Sequence, residues 1–363
     1  MFGTSRRAAV AGVTLALALS ACGSSNASVG GNETTPPFVV NQSWGTFHLK
    51  ASIADKVRKK QAINYVFSYQ GTGIPLFSPQ YKDGYTQGLT AGQKIYPMNG
   101  KAIAPVQTDP NQQVAQISAL LTAGQIDCIS IEPATSSGFT AITNQMMDQG
   151  IPVFTVGVTS NGHEFTNFTQ VPLKEGAKAA TTVLDYMHKN NLTFKNFAVS
   201  GGDPSQFWAQ GRMTGFMNTI KAAIPDANFV NDPSTALNTS YDPAPTYDKA
   251  KAFLLGHPNV DVFQNSDIGA EHIDRAIKDL GKAGKTFTVG WNVSKANLDY
   301  IDAGIQIATM DQKWGEQAAF GGPACANFLA SGKILPNTQE LLGVTKENSA
   351  QARADLNKFL SGS

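Results

Sequence analysis

From Ala62 onward, short β-branched and aromatic runs alternate with stretches of helical periodicity, which restricts the chain to an α/β fold on parallel sheets. Ala62–Tyr69 reads as a strand, Pro79–Leu89 as a helix and Lys94–Met98 as a second strand. Asp109-Pro110 opens the next helix, with Asp as N-cap and Pro in the first turn. Cys128–Ile131, the helix Ser137–Asp148 and the strand Val153–Val156 continue the rhythm, with Gly150-Ile151-Pro152 as the break between the last two. It restarts after Phe168. Helices are expected over Lys174–Asn190, Phe207–Ile224, Thr246–Leu255, Ala270–Leu280, Lys295–Ala303 and Trp314–Ser331, and strands over Phe197–Ser200, Val260–Gln264, Phe287–Trp291 and Ile305–Met310. Two sets of units of similar length predict two Rossmann-like lobes, each a parallel sheet flanked by helices, joined by a hinge. In open parallel sheets ligands gather at the carboxyl ends of strands, and two lobes can turn those ends toward each other across a cleft.

The N-terminus says where such a chain works. Arg6 and Arg7 precede an apolar run, Ala8 to Leu19, too short to span a bilayer, and small residues follow it. That is a secretory signal over residues 1–21. Leu19-Ser20-Ala21-Cys22 resembles the bacterial lipobox, in which the cysteine is acylated and becomes the mature N-terminus. The Ser-, Gly- and Thr-rich stretch from Gly23 to Pro37 has nothing to bury, so residues 22–50 are expected to form a flexible, lipid-anchored tether. Arg6-Arg7 also hints at twin-arginine export, but the residues expected after that pair are missing. Ala51–Lys60 reads as a short lead-in helix with a solvated basic face.

Removing residues 1–21 takes two of the 28 basic side chains and leaves 26 against 27 acidic ones, a formal charge of −1. This balance offers no electrostatic footprint for nucleic acid or for an anionic lipid surface. With only 15% charged residues and abundant Gly, Asn, Gln, Ser and Thr, the chain suits neutral polar ligands. Beyond Cys22, the cysteines are Cys128, in an apolar strand, and Cys325, in a helix. An oxidising compartment would allow a disulfide between them. Two separately buried thiols are the plainer expectation, because nothing local brings the pair together.

Enzyme signatures are scarce: G-x-S-x-G, H-E-x-x-H, Walker A and S-x-x-K are all absent from the sequence. Gly71-Thr72-Gly73 begins like a dinucleotide loop, but Leu76 stands where the third glycine belongs. The histidines are scattered, with no metal-ligand spacing, so no cofactor or metal is expected. Polar and aromatic residues collect instead where strands end: Asn265-Ser266-Asp267, Trp291-Asn292, Asp311-Gln312, and Gly202 to Trp208 including Gln206. Amides and carboxylates at strand exits offer fixed donors and acceptors, and aromatic rings offer flat apolar faces. A sugar or polyol needs both.

These segments resemble the type I periplasmic sugar-binding proteins, especially the ribose-binding branch, over roughly Ala62 to Leu342. Ile129–Val156 followed through Gln149-Gly150-Ile151-Pro152-Val153 is similar to that family's first-lobe core. Arg212-Met213-Thr214-Gly215-Phe216 is similar to its Arg-x-x-Gly-Phe helix, and His257-Pro258-Asn259-Val260 introduces its strand ending in Asn-Asp, here Ser266-Asp267 with Asn265 adjacent. Val289-Gly290-Trp291-Asn292 places Asn292 where the family has a ligand-binding aspartate, and Ala308-Thr309-Met310-Asp311-Gln312 ends at its ligand-binding glutamine. Tyr241 and Phe77 fall where it has stacking aromatics, and Trp208 joins them. The resemblance departs at Gly157-Val158, where the family has an Asp-Arg pair that clamps hydroxyls. Gly157 is then expected to open room or to let Trp208 reach across. The missing grip is assigned to Gln70, Asn161, His163 or Gln170.

What the resemblance implies is a type I periplasmic binding protein: a monomeric, non-enzymatic lipoprotein that captures a small neutral sugar or polyol and passes it to an ABC transporter permease. It would touch the membrane only through its lipid. Residues 51–170 plus 313–338 would form the N-terminal lobe, and 171–312 plus 339–363 the C-terminal lobe. Other readings are a sensor presenting a sugar-like signal to a membrane receptor and a surface-anchored carbohydrate hydrolase.

Overall fold

The computed structural model describes residues 39–74, 77–339 and 341–361. The expected signal segment, the expected lipidation at Cys22 and the tether expected up to residue 38 lie outside the described residues. A hairpin of β1 (Val39–Gln42) and β2 (Gly45–His48) leads into α1 (Ala51–Arg58). The first lobe follows: β3 (Ile63–Ser68), α2 (Phe77–Gln93), β4 (Met98–Ile103), α3 (Pro110–Thr122), β5 (Cys128–Ile131), α4 (Ser136–Asp148), β6 (Val153–Gly157) and β7 (Thr166–Thr169). The chain then crosses into α5 (Pro172–Lys189), β8 (Asn196–Gly201), α6 (Phe207–Ala223), β9 (Asn228–Phe229), β10 (Leu237–Asn238), α7 (Pro243–Gly256), β11 (Val262–Asn265), α8 (Ala270–Asp279), β12 (Phe287–Trp291), α9 (Lys295–Asp302) and β13 (Gln306–Asp311). It ends with α10 (Trp314–Ser331), β14 (Leu342–Val344) and α11 (Ser349–Ser361).

The first sheet has five parallel strands in the order β4-β3-β5-β6-β7. The second has seven, along the path β10-β8-β11-β12-β13-β14 with β9 also on β8, and only β14 runs antiparallel. In the first sheet the strand order reverses between β3 and β5, and in the second between β8 and β11. In each sheet that reversal makes the switch point beside which ligands sit. Each lobe buries its own core. Phe67, Ile129, Phe154 and Met146 belong to the first; Phe197, Phe216, Val289 and Trp291 to the second.

Both helix pairs that shape the site depend on glycine. Gly84, Gly88 and Gly92 of α2 meet Gly315, Ala319 and Gly322 of α10, and a Cβ at any of the three would collide with α10 backbone. In the second lobe a Cβ at Gly176 of α5 would overlap the Arg212 carbonyl, and one at Gly215 of α6 the Leu173 carbonyl. Small residues at four-residue spacing let helices approach until backbones touch, which fixes their side chains relative to one another.

Three expectations change. Residues 39–50, assigned to the tether, are folded: Phe47 is 1% exposed, packs edge-on against Phe165 and Phe328, and lies in the first lobe's core with Leu49. Gly150, at φ +75°, receives this segment closely, its carbonyl accepting from Lys50 N at 3.0 Å. The second strand is Met98–Ile103 rather than Lys94–Met98. Tyr96 turns under α1 to donate to the Gln61 carbonyl at 3.2 Å, and the true strand is a largely exposed, polar edge that hydrophobicity does not mark. Finally, Cys128 and Cys325 form a disulfide, with Cα atoms 6.1 Å apart. The pairing arises because α10, which follows the last parallel strand of the second lobe, returns to pack over β5 and β6 of the first. No local spacing reports that return.

Candidate binding site between the lobes

Arg212 is the centre of the polar network. The tight α5–α6 crossing buries it to 2% exposure and sets its Nε against Glu175 Oε2 at 2.7 Å. Its Nη1 donates to the Ser266 carbonyl at 2.9 Å, and its Nη2 to Gln170 Oε1 at 3.0 Å and Gln312 Oε1 at 2.8 Å. The guanidinium lies 5.1 Å from the ring centre of Trp291, which forms an apolar floor. Gln170 follows β7 and Gln312 follows β13, so two of the three chain crossings between the lobes deliver an amide to one cation. Four acceptors around a planar fork leave its orientation little freedom.

Gln312 spreads the network. Its Nε2 donates to Asn292 Oδ1, and its carbonyl accepts from Gln317 Nε2 at 2.6 Å. Gln317 Oε1 in turn accepts from the Tyr81 hydroxyl at 2.9 Å, which carries the chain of hydrogen bonds into the first lobe. Asn292 sits at φ +69°, with its carbonyl taken by Asn297 Nδ2 at 2.8 Å and Thr309 Oγ1 at 2.9 Å.

A second cluster surrounds Asp267, which accepts from Trp208 Nε1 at 3.4 Å and from its own neighbour Ile268 N at 2.9 Å. Burial pushes its carboxyl up, and the nearby Arg212 charge opposes that shift. The Tyr241 hydroxyl also bonds to Asp267, and its ring covers Gly202, where a Cβ would strike it. Burial and the Asp267 charge push the Tyr241 phenol well up. Phe207, half exposed, lies edge-on to Trp208 at 5.3 Å and extends this aromatic rim.

The structure therefore brings together Arg212, Gln170, Gln312, Asn292 and Trp291, and beside them Asp267, Trp208 and Tyr241. Asn265 and Ser266 are fully buried and bound within the lobe: Asn265 accepts from Asp267 N at 3.0 Å, and Ser266 Oγ donates to the Ser200 carbonyl at 2.9 Å. Phe77 stacks on Tyr81 at 4.1 Å in the first lobe. Gln206 bonds Asp203 Oδ2 at 2.7 Å in the turn before α6. Asn161 accepts from Thr159 at 3.1 Å, and His163 stacks flat on Trp44 of the hairpin at 4.8 Å, so neither joins the network.

Gly157 does not open room, and Trp208 stays with Asp267. A Cβ there would stand 3.0 Å from Glu132 Cγ, 3.2 Å from the Tyr81 hydroxyl and 3.3 Å from Gln317 Oε1. Glu132, which the sequence reading passed over, follows directly on β5 and obeys the strand-exit rule that picked out Asp267 and Gln312. It is 3% exposed and accepts from Gln70 N at 3.0 Å and Gln70 Nε2 at 2.7 Å. Burial pushes its carboxyl up to about 8. Among the described residues, a cavity of about 250 Å³ shares only Asn292 with this network and is otherwise walled by residues such as Gln80, Asp83, Trp314 and Asp355. No group of three or more His, Cys, Asp or Glu among the described residues is placed to hold a metal, and no helix there is long and apolar enough to cross a membrane.

Comparison with known proteins gives this arrangement a context. A family model described as a periplasmic binding protein domain matches residues 66–333. A D-ribose/D-allose-binding protein from Pseudomonas aeruginosa is 24% identical over 234 residues, 62% of this chain and 69% of that protein. Among solved structures, a periplasmic ribose ABC transporter protein from Conexibacter woesei is similar with a TM-score of 0.67 at 18% identity, covering 81% of this chain and 95% of that one. A sugar-binding protein of a sugar ABC transporter from Bacillus halodurans gives a TM-score of 0.66 at 18% identity, covering 79% and 99%.

Proposed function

Since the chain belongs to the periplasmic binding protein family, a family of binding proteins rather than enzymes, we propose that it captures a small neutral sugar or polyol between its lobes outside the cytoplasm. The lobes in this reading are residues 39–170 with 313–338 and residues 171–312 with 339–363. The observation that carries it is the convergence of Gln170 and Gln312, from two of the three crossings, on a buried Arg212. A cation already neutralised by Glu175 favours neutral oxygens over anions, and its fixed fork suits a hydroxyl or ring oxygen. Asp267 and Asn292 supply acceptors, while Trp208 and Tyr241 supply apolar faces for C–H groups. Micromolar capture requires about 8 kcal/mol, within reach of several such contacts in a closed cleft. Hinge closure over the ligand gives a shape that a permease can distinguish from the empty one. The lipid on Cys22 keeps the protein at the membrane beside that permease, as a monomer.

The test is a thermal-shift screen of pentoses, hexoses, deoxysugars and polyols, since a ligand bound only by the folded state raises Tm. A carbohydrate is expected to shift it, and Arg212→Ala or Asn292→Ala to abolish the shift with the empty protein still folded. If no carbohydrate shifts the wild type, the substrate class is wrong. Palmitate labelling lost in Cys22→Ser checks the anchor.

A further inference from the structure

In the first lobe, the strand exits beside the cleft network are Gln70 after β3, Glu132 after β5 and Gly157 at the end of β6. The last brings no side chain. The space where one would begin is occupied by Glu132, with Tyr81 and Gln317 beside it. Gly157 is also tied to the opposite network, because its carbonyl accepts from Gln170 N at 3.2 Å and Gln170 reaches Arg212. Glu132 and Arg212 are thus connected through two intervening residues, Gly157 and Gln170.

Nothing in the fold requires a carboxyl at this position. Among the described residues, the groups at Glu132 include Gln70, Gln113 (which holds its backbone carbonyl at 2.9 Å), Tyr81 and the bare Gly157 backbone. None of them is a cation. Burying a carboxyl among neutral partners is costly, and a glutamine could keep an amide pairing with Gln70 at less cost. Among the described residues, only two of its acceptor positions are used, both by Gln70. Because burial holds the proton until about 8, the group both donates and accepts at neutral pH, as a sugar hydroxyl does.

We propose that Glu132, oriented by Gln70, is the group with which the first lobe grips the ligand, through one hydroxyl or an adjacent pair. This rests on the sugar-capture reading and adds a specificity-determining residue to it. At Glu132 the ligand must present a hydroxyl that can donate and accept.

The experiment is a thermodynamic cycle between protein and ligand. D-ribose, D-allose, D-glucose, D-galactose, L-arabinose and myo-inositol are titrated calorimetrically into the wild type, and the best binder is followed by its monodeoxy derivatives. The same series is run on Glu132→Gln and Glu132→Ala, with empty-state melting curves confirming that each is folded. Loss of one particular hydroxyl is expected to cost the wild type about tenfold and to cost Glu132→Ala nothing, the signature of a direct pair. An Ala variant that binds like the wild type, or that loses affinity equally for every derivative, overturns the assignment. If no carbohydrate of the thermal-shift screen binds the wild type, the capture reading itself fails, and that is visible before any variant is made.

Discussion

Arg212 and Glu175 meet at 2.7 Å with both side chains almost wholly shut off from water, 3% and 2% exposed. They reach each other because Gly176 and Gly215 let α5 and α6 touch backbone to backbone. The pair belongs to the candidate site and equally to the core, so it can be tested without any ligand. Glu175→Gln leaves a buried guanidinium short of its counter-charge and should cost about 3–5 kcal/mol, read as a lower urea midpoint with an unchanged slope. Pairing it with Arg212→Met should recover part of that loss; a double variant no better than the single one would show that the charge was never the issue.

Stability should depend on pH through Glu132. Its folded carboxyl holds a proton up to about 8, well above its ordinary value, so between those points the native state binds more protons than the unfolded one. Its contribution is therefore complete below the ordinary carboxyl range and is lost as pH rises through about 8. Melting curves from pH 5 to 9 should show the wild type losing Tm relative to Glu132→Gln, and parallel curves would mean the carboxyl is already ionised.

Helix α10 is held against α2 by the absence of side chains. Gly88→Ala places a methyl on the Ala319 backbone and should cost about 1–3 kcal/mol, because the two helices must separate to admit it. Gly256→Ala, at the end of α7 with open space around it and no left-handed φ, is the control. A Gly88 variant no less stable than the Gly256 one would contradict the close crossing.

Replacing both Cys128 and Cys325 by alanine should lower stability by about 2–5 kcal/mol, and a reductant should lower the wild type toward the same value while leaving the variant unmoved.

How much of this was legible in the sequence follows from the range of each signal. Strand-then-helix alternation is local, so both sheets and most helices were readable, and the strand-exit rule found Asn292, Gln312 and Asp267. Short edge strands were not: Thr166–Thr169 and Leu342–Val344 have too few residues to show a period. Asn265 and Ser266 satisfied the rule but turned inward, because β8 beside them offers the Ser200 hydroxyl and carbonyl. Glu175 and Gln317 were invisible for another reason. Each sits one turn inside a helix and acquires its role only when a second helix, α6, or a returning one, α10, is packed in place.

The Cys128–Cys325 bond spans 197 residues and encloses the whole of the second sheet's parallel core. In covalent terms that lobe is a bight of chain fastened at its neck. A protease that nicks an exposed loop between Cys128 and Cys325 yields two fragments that migrate as one until the bond is reduced, and the amino-terminal fragment keeps hold of the rest. For a protein exposed to its surroundings, a single cut is damage it can survive in one piece.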